Sequence, residues 1–190
     1  MIETIKRVRD HAFGYLLFIG FVILAVWLVD LSKTGMSSFR WKEFSSAEGN
    51  FKMKFPQEPE RKIVSGRMDD PRFQEVTFFT AMSGKTVFMA GFADDFNDTV
   101  RDFSISQRLD AAVEGAVINT QGVMKSISEK NILLKGYSGR EIDLAGSGGD
   151  GRMRIYLVGN RRFILGVMGE NIRFNKTTSK FLDSFELLTK

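Results

Sequence analysis

The sequence predicts an α+β fold, an antiparallel β-sheet sandwiched by helices and preceded by one N-terminal transmembrane helix. Three observations carry this. Ala12–Val29 is an eighteen-residue apolar run without charge or proline. Arg152–Val158 and Arg161–Met168 flank Gly159-Asn160, a two-residue spacing suited to a tight hairpin. Ser104–Asn119 opens with Ser104 and Gln107 at capping-box spacing and repeats its apolar residues at helical period.

The apolar run comes first. Eighteen helical residues rise about 27 Å, enough to cross a bilayer core with little tilt. Tyr15 and Trp27 sit near its ends, and Lys6, Arg7 and Arg9 precede it closely. That bias puts the N-terminus in the cytoplasm and the rest of the chain outside. A cleaved signal peptide would want an apolar region of roughly 7–15 residues, and only Gly35-Met36-Ser37 resembles a cleavage site. A helix buried in a soluble core would carry a polar stripe, and none is present. The expected organisation is a cytoplasmic tail over 1–11, a transmembrane helix over 12–29, a linker over 30–38 and an extracytoplasmic α+β domain over 39–190.

Within that domain, strands are expected at Phe39–Phe44 and Phe51–Phe55. The second alternates Phe51, Met53 and Phe55 with Lys52 and Lys54, and Pro56 and Pro59 end it. Lys62–Arg67 is a weaker strand before the Asp69-Asp70-Pro71 turn. Arg72–Ala81 and Lys85–Ala93 form a hairpin around Ser83-Gly84. The helix over Ser104–Asn119 presents Ile105, Leu109, Ala112, Val113 and Ala116 on one face. Val123–Leu134 and Ser138–Leu144 continue the sheet, and a second helix spans Asn175–Ser184 with Phe174, Phe181 and Phe185 as anchors. With the weak strand set aside, the order is four strands, helix, four strands, helix. If Val158 pairs with Arg161, Tyr156 faces Phe163 on one side and Ile155 faces Ile164 on the other. Both sheet faces are then apolar, so both should be covered.

Composition narrows the chemistry. The chain has no cysteine and one histidine, His11, which excludes disulfides, thiolate zinc sites and a thiol nucleophile. The net charge of +4 divides into +1 over residues 1–37 and a diffuse +3 over the rest, which does not make a nucleic-acid face. Gly146–Gly151 is followed by strand rather than by Gly-Lys-Ser/Thr, so it reads as a connection and not a phosphate loop. Asp94–Asp98 fits no calcium-loop frame and reads as a polar lead into the helix, with Asp102 or Ser104 as its cap. Glu141 and Asp143 share one strand face and could do acid/base work, but a solvated stripe is the ordinary reading. Arg152, Arg154, Arg161 and Arg162 cluster on one hairpin, where they protect an edge or meet an anionic partner or lipid headgroups. Phe78, Phe79, Phe88, Met89 and Phe92 supply more apolar area than one face needs. They fill a core, or they leave a groove for an apolar peptide.

Several short motifs resemble a known family. Trp41-Lys42-Glu43-Phe44, Glu48-Gly49-Asn50-Phe51 and Phe55-Pro56-x-x-Pro59 are similar to the opening of bacterial domains of the PsbP/Mog-like superfamily. Gly136-Tyr137-Ser138-Gly139-Arg140-Glu141, the hairpin from Arg154 to Arg161 and the ending Phe181–Leu187 resemble later parts of those domains, so the likeness spans about residues 39–188. It implies an antiparallel sheet sandwiched by helices. It also implies protein binding, since members of the superfamily generally bind photosystem subunits, a Ran GTPase or hydrophobic segments of secreted effectors. No contact residue of theirs maps onto this chain.

The expectation is a single-pass, extracytoplasmic protein-binding or assembly module in the plasma (inner) membrane. It has no catalytic residue, cofactor or metal site, and it meets the membrane through residues 12–29 and another envelope protein through its domain. The contrasting readings are a chaperone or carrier for apolar segments and a carboxylate-based hydrolase. Topology is directly testable because the chain lacks cysteine. With Thr4→Cys and Ser147→Cys as single reporters in spheroplasts, an impermeant thiol reagent should label position 147 and spare position 4. The reverse pattern contradicts the orientation.

Overall fold

A computed structural model describes residues 41–64, 75–94, 103–118, 123–147, 149–170, 172 and 175–188. The apolar run 12–29, the linker, the Asp69-Asp70-Pro71 turn, Asp95–Asp98, Asp102 and Phe174 lie outside the described residues. Among the described residues, no helix is long and apolar enough to cross a membrane.

The chain forms β1 (Lys42–Ser46), β2 (Phe51–Phe55), β3 (Glu60–Val64), β4 (Val76–Ser83), β5 (Thr86–Asp94) and α1 (Ile105–Ile118). It continues through β6 (Met124–Leu134), β7 (Tyr137–Gly146), β8 (Gly149–Val158), β9 (Arg161–Gly169), α2 (Lys176–Leu182) and β10 (Glu186–Leu187). Seven strands make one antiparallel sheet in the order β3-β4-β5-β9-β8-β7-β6, and β1-β2-β10 make a second, smaller sheet. The α+β class holds, with one correction to the expected layers. Helices do not cover both faces: α1 covers one, and the small sheet with α2 covers the other.

The local signals explain most of these elements. Val158 pairs with Arg161 across Gly159-Asn160, which sets Tyr156 opposite Phe163 and Ile155 opposite Ile164 as the spacing required. Ser104 caps α1. Its N–H donates to Gln107 Oε1 at 2.8 Å, and the Gln107 N–H donates to Ser104 Oγ at 3.3 Å. Asn175 caps α2 by accepting from the Thr177 N–H at 2.9 Å. Other boundaries moved. The first strand lies at Lys42–Ser46, the third begins at Glu60 directly after Pro59, and five strands rather than four precede α1. Gly146 and Gly149 pair across the turn between β7 and β8, so the glycine-rich stretch is a strand connection.

Two cores result, one on each side of the large sheet. Against α1 lie Phe78, Met89, Ile142, Leu144, Met153, Ile155 and Ile164, with Leu109, Ala112, Val113 and Ala116 from the helix. Ile105, expected on that face, is 54% exposed because it opens the first turn beyond the sheet contact. On the other side Phe51, Met53 and Phe55 of β2 meet Phe79, Phe88, Phe92, Phe163 and Leu165, with Phe181 and Phe185 between. Phe181 bridges the sheets, its ring 5.1 Å from Phe55 and 5.2 Å from Phe88. Phe78, Phe79, Phe88, Met89 and Phe92 are all buried. The aromatic surface of β4 and β5 is therefore core on both sides and offers no open groove there.

Phe181→Ala should lower unfolding free energy by about 3–5 kcal/mol, because it removes a ring that joins both sheets. Ile105→Ala should cost below about 0.5 kcal/mol. Urea denaturation reads both, and a cost below about 1 kcal/mol at Phe181 would mean that α2 does not dock.

Candidate functional site

The small sheet and α2 lie over β4, β5 and β9, and beyond Ile132 and Tyr156 the same face of β6, β7 and β8 carries polar side chains. Register places Lys130 beside Glu141, Glu141 beside Arg154, and Asp143 beside Arg152. The contacts are direct. Lys130 Nζ lies 2.8 Å from Glu141 Oε1, and Arg154 Nε donates to Glu141 Oε2 at 2.5 Å. Arg154 Nη1 reaches Asp183, just beyond α2, at 2.7 Å. Arg152 grips Asp143 through Nε at 2.6 Å and Nη2 at 3.1 Å. Glu141 is only 5% exposed. The solvated stripe expected of Glu141 and Asp143 is therefore a closed ladder of ion pairs, because their neighbours two strands wide are arginines and a lysine.

The four arginines do not form one patch. Arg152 and Arg154 belong to the ladder. Arg161 stands at the hairpin end, where Nε and Nη2 each meet Asp94 at 2.6 Å and Nη1 donates to the Glu48 carbonyl at 2.8 Å. Its guanidinium also lies 4.7 Å from the Phe92 ring centre. Arg162 is buried and, by strand alternation with Ile164, faces the α1 side. Arg152, Arg154 and Arg161 thus hold elements together: β7 to β8, β8 to the end of α2, and β9 to the turn between β1 and β2. Among the described residues, no group of three histidine, aspartate or glutamate side chains is placed to hold a metal.

Arg140 was missed as a fastener. It donates to Glu129 at 2.9 Å, to Asn131, and to Ser106 and Asp110 of α1 at 3.0 and 2.7 Å. This explains the Gly139-Arg140-Glu141 motif physically. A Cβ at residue 139 would fall 2.5 Å from the Tyr156 ring, so glycine lets that ring lie flat. Arg140 then ties α1 to the sheet, and Glu141 enters the ladder behind it.

One cleft opens at the end of the large sheet, where the β6–β7 and β8–β9 turns approach Asn50 and β10. It encloses about 460 Å3 and is walled by Tyr137, Val158, Phe163, Leu187 and Leu188, with Lys135 and Arg161 as its cations. Sequence reasoning gave no sign of it, because its walls come from four separated segments.

Electrostatics follow from the geometry. Burial pushes the Glu141 carboxyl up, but hydrogen bonds from Lys130 and Arg154 outweigh this and hold it below its ordinary 4.5. Its folded value is thus lower than its unfolded one. The stability it contributes is full above about pH 4.5 and is lost as pH falls through the folded value. Glu141→Gln should lower stability at pH 7 and flatten the loss between about pH 5 and pH 3. Arg154→Met, which strips a partner from a buried carboxylate, should cost about 2–4 kcal/mol at pH 7. Urea midpoints across pH check both, and an unchanged acid slope in Glu141→Gln would contradict the assignment.

No family model matches the chain, and no curated protein matches it. Among solved structures it is similar to the solution structure of cyanobacterial PsbP (CyanoP) from Synechocystis sp. PCC 6803. That match has 10% identity and a TM-score of 0.53, and it covers 84% of this chain and 98% of the other. A protein of unknown function, PA94 from Pseudomonas aeruginosa, matches at 13% identity over 69% of this chain and 83% of its own, with a TM-score of 0.37. The first of these matches, spanning nearly the whole cyanobacterial domain, agrees with the motifs from Trp41 to Leu187: the fold is PsbP-like.

Proposed function

We propose that the chain is a non-catalytic binding module, held in the plasma membrane by residues 12–29, whose outward-facing domain engages another envelope protein through the β6–β7 hairpin. One observation carries this reading. Among the described residues, four of the six large hydrophobic side chains left exposed lie on or beside that hairpin: Val123 (47%), Ile127 (50%), Leu133 (73%) and Tyr137 (42%). They flank an open strand, since among the described residues nothing pairs with the outer edge of β6. An eleven-residue edge strand is a template for pairing unless it is protected. The other edge, β3, is five residues long and begins with Glu60, Arg61 and Lys62. The register slip between Ser126 and Ser128 interrupts only the first part of β6.

The absence of catalysis is supported by the state of the two carboxylates. A general acid or base works best with a pKa near the working pH. Glu141 is instead held below its ordinary value between Lys130 and Arg154, and Asp143 is clasped by Arg152.

A photoreactive amino acid at Leu133 should join the chain to one defined protein in native membranes, and the same residue at Lys85, in the β4–β5 turn, should not. With the probe kept at position 133, Ile127→Asp should abolish that adduct while leaving the unfolding free energy within about 0.5 kcal/mol of the parent. Adducts from Lys85 but not Leu133 would place the contact elsewhere.

A further inference from the structure

The cleft at the end of the large sheet has a composition that selects a ligand class. Its volume of about 460 Å3 falls within the range of roughly 300–1,000 Å3 typical of small-molecule sites. Its walls are mostly apolar, and among the described residues no aspartate or glutamate lines it. Of its two cations, Arg161 is committed to Asp94 and to the Glu48 carbonyl. Lys135 is exposed and makes no ion pair among the described residues.

The backbone adds an independent sign. Among the described residues, two non-glycine residues have positive φ, Asn50 at 56° and Lys135 at 49°, and both line this cleft. Asparagine tolerates the left-handed region, but lysine is not among the residues that favour it. The two-residue turn Lys135-Gly136, between paired Leu134 and Tyr137, is of the kind that favours asparagine or aspartate at its first position. Lysine there gives up turn preference and places an ammonium group at the mouth of an apolar cleft. Strain of this kind concentrates at ligand sites.

We propose that this cleft binds an apolar chain carrying a single anionic head, with Lys135 meeting the head and Val158, Phe163, Leu187 and Leu188 enclosing the chain. The head is a free carboxylate or a lipid phosphate. The cleft shares Lys135 and Tyr137 with the β6–β7 hairpin, but its other wall, Val158, Phe163, Leu187 and Leu188, lies outside that hairpin, so Val158→Trp tests the cleft without altering the β6 edge.

The test uses the full chain in phosphatidylcholine nanodiscs with two photoreactive probes, a diazirine dodecanoate and a diazirine phosphatidylglycerol. Adducts are mapped by mass spectrometry. The expected adducts fall on peptides containing Tyr137, Val158 or Leu187, and which probe produces them identifies the head. Lys135→Asn keeps a residue suited to the turn and removes the charge. It should raise the half-saturating probe concentration about tenfold or more, the loss of one charge-assisted hydrogen bond, without lowering the unfolding midpoint. Methyl dodecanoate, which lacks the charge, should compete poorly. Val158→Trp, which fills the cleft, should remove the adducts. Labelling confined to residues 12–29, or cleft labelling indifferent to both Lys135→Asn and esterification, would overturn the proposal.

Discussion

A large sheet with apolar side chains on both faces must be covered on both, and most of this structure follows from that requirement. Strands β4, β5 and β9 are buried along nearly their whole length. Each face alone would leave phenylalanine, leucine and methionine in water, at about 1.5–3 kcal/mol per exposed side chain. One face is met by a single helix, whose Leu109, Ala112, Val113 and Ala116 are small enough to sit close to the strands. The other is met by a second sheet, and β2 is built for it. Phe51, Met53 and Phe55 turn inward while Lys52 and Lys54 turn out. The two sheets are joined by aromatic contacts at the Phe181 and Phe185 rings rather than by shared strands.

The cover has a boundary, and the charges mark it. Where β1, β2, β10 and α2 stop, the strands β6, β7 and β8 carry Lys130, Glu141, Asp143, Arg152 and Arg154 on the same face. Glu141, buried at their centre, is too enclosed to be left single, since an unpaired charge at such a site is costly. Each of these groups has an opposite charge directly across the strand pair. The turn between β1 and β2 is pinned at the other side of the boundary. Glu48 meets Arg61 through two hydrogen bonds, and its carbonyl accepts from Arg161. The Glu48-Gly49-Asn50-Phe51 motif is thus a clasp between layers, and a Cβ at residue 49 would fall 2.6 Å from the Phe51 ring.

What could be read from the chain divides along a physical line. Local rules gave the β8–β9 register, because a two-residue turn leaves one pairing, and the α1 start, because its cap lies within four residues. The two-sided apolar pattern of that hairpin also correctly required cover on both faces. The small sheet was not legible, because β10 is two residues long and joins β2 from 130 or more positions away. The pairing of Arg152, Arg154 and Arg161 was not legible for the same reason. Their partners lie on other strands, as with Asp94 for Arg161, 67 residues apart, and only the assembled register shows that the charges cancel. The cleft shares this property. Its lysine is recognisable only once Lys135 is seen to hold a left-handed turn beside β10.

If covering both faces is what holds the fold, the layers should open together. Native-state hydrogen exchange followed through increasing denaturant reads this directly. Amides of β2, α1, β5, β8 and β9 should converge on one global opening, while outward amides of β6 exchange fastest throughout. A separate, lower-energy opening of β2 and α2 with β5 and β9 still protected would contradict the account, because the large sheet would then be stable with one face bare.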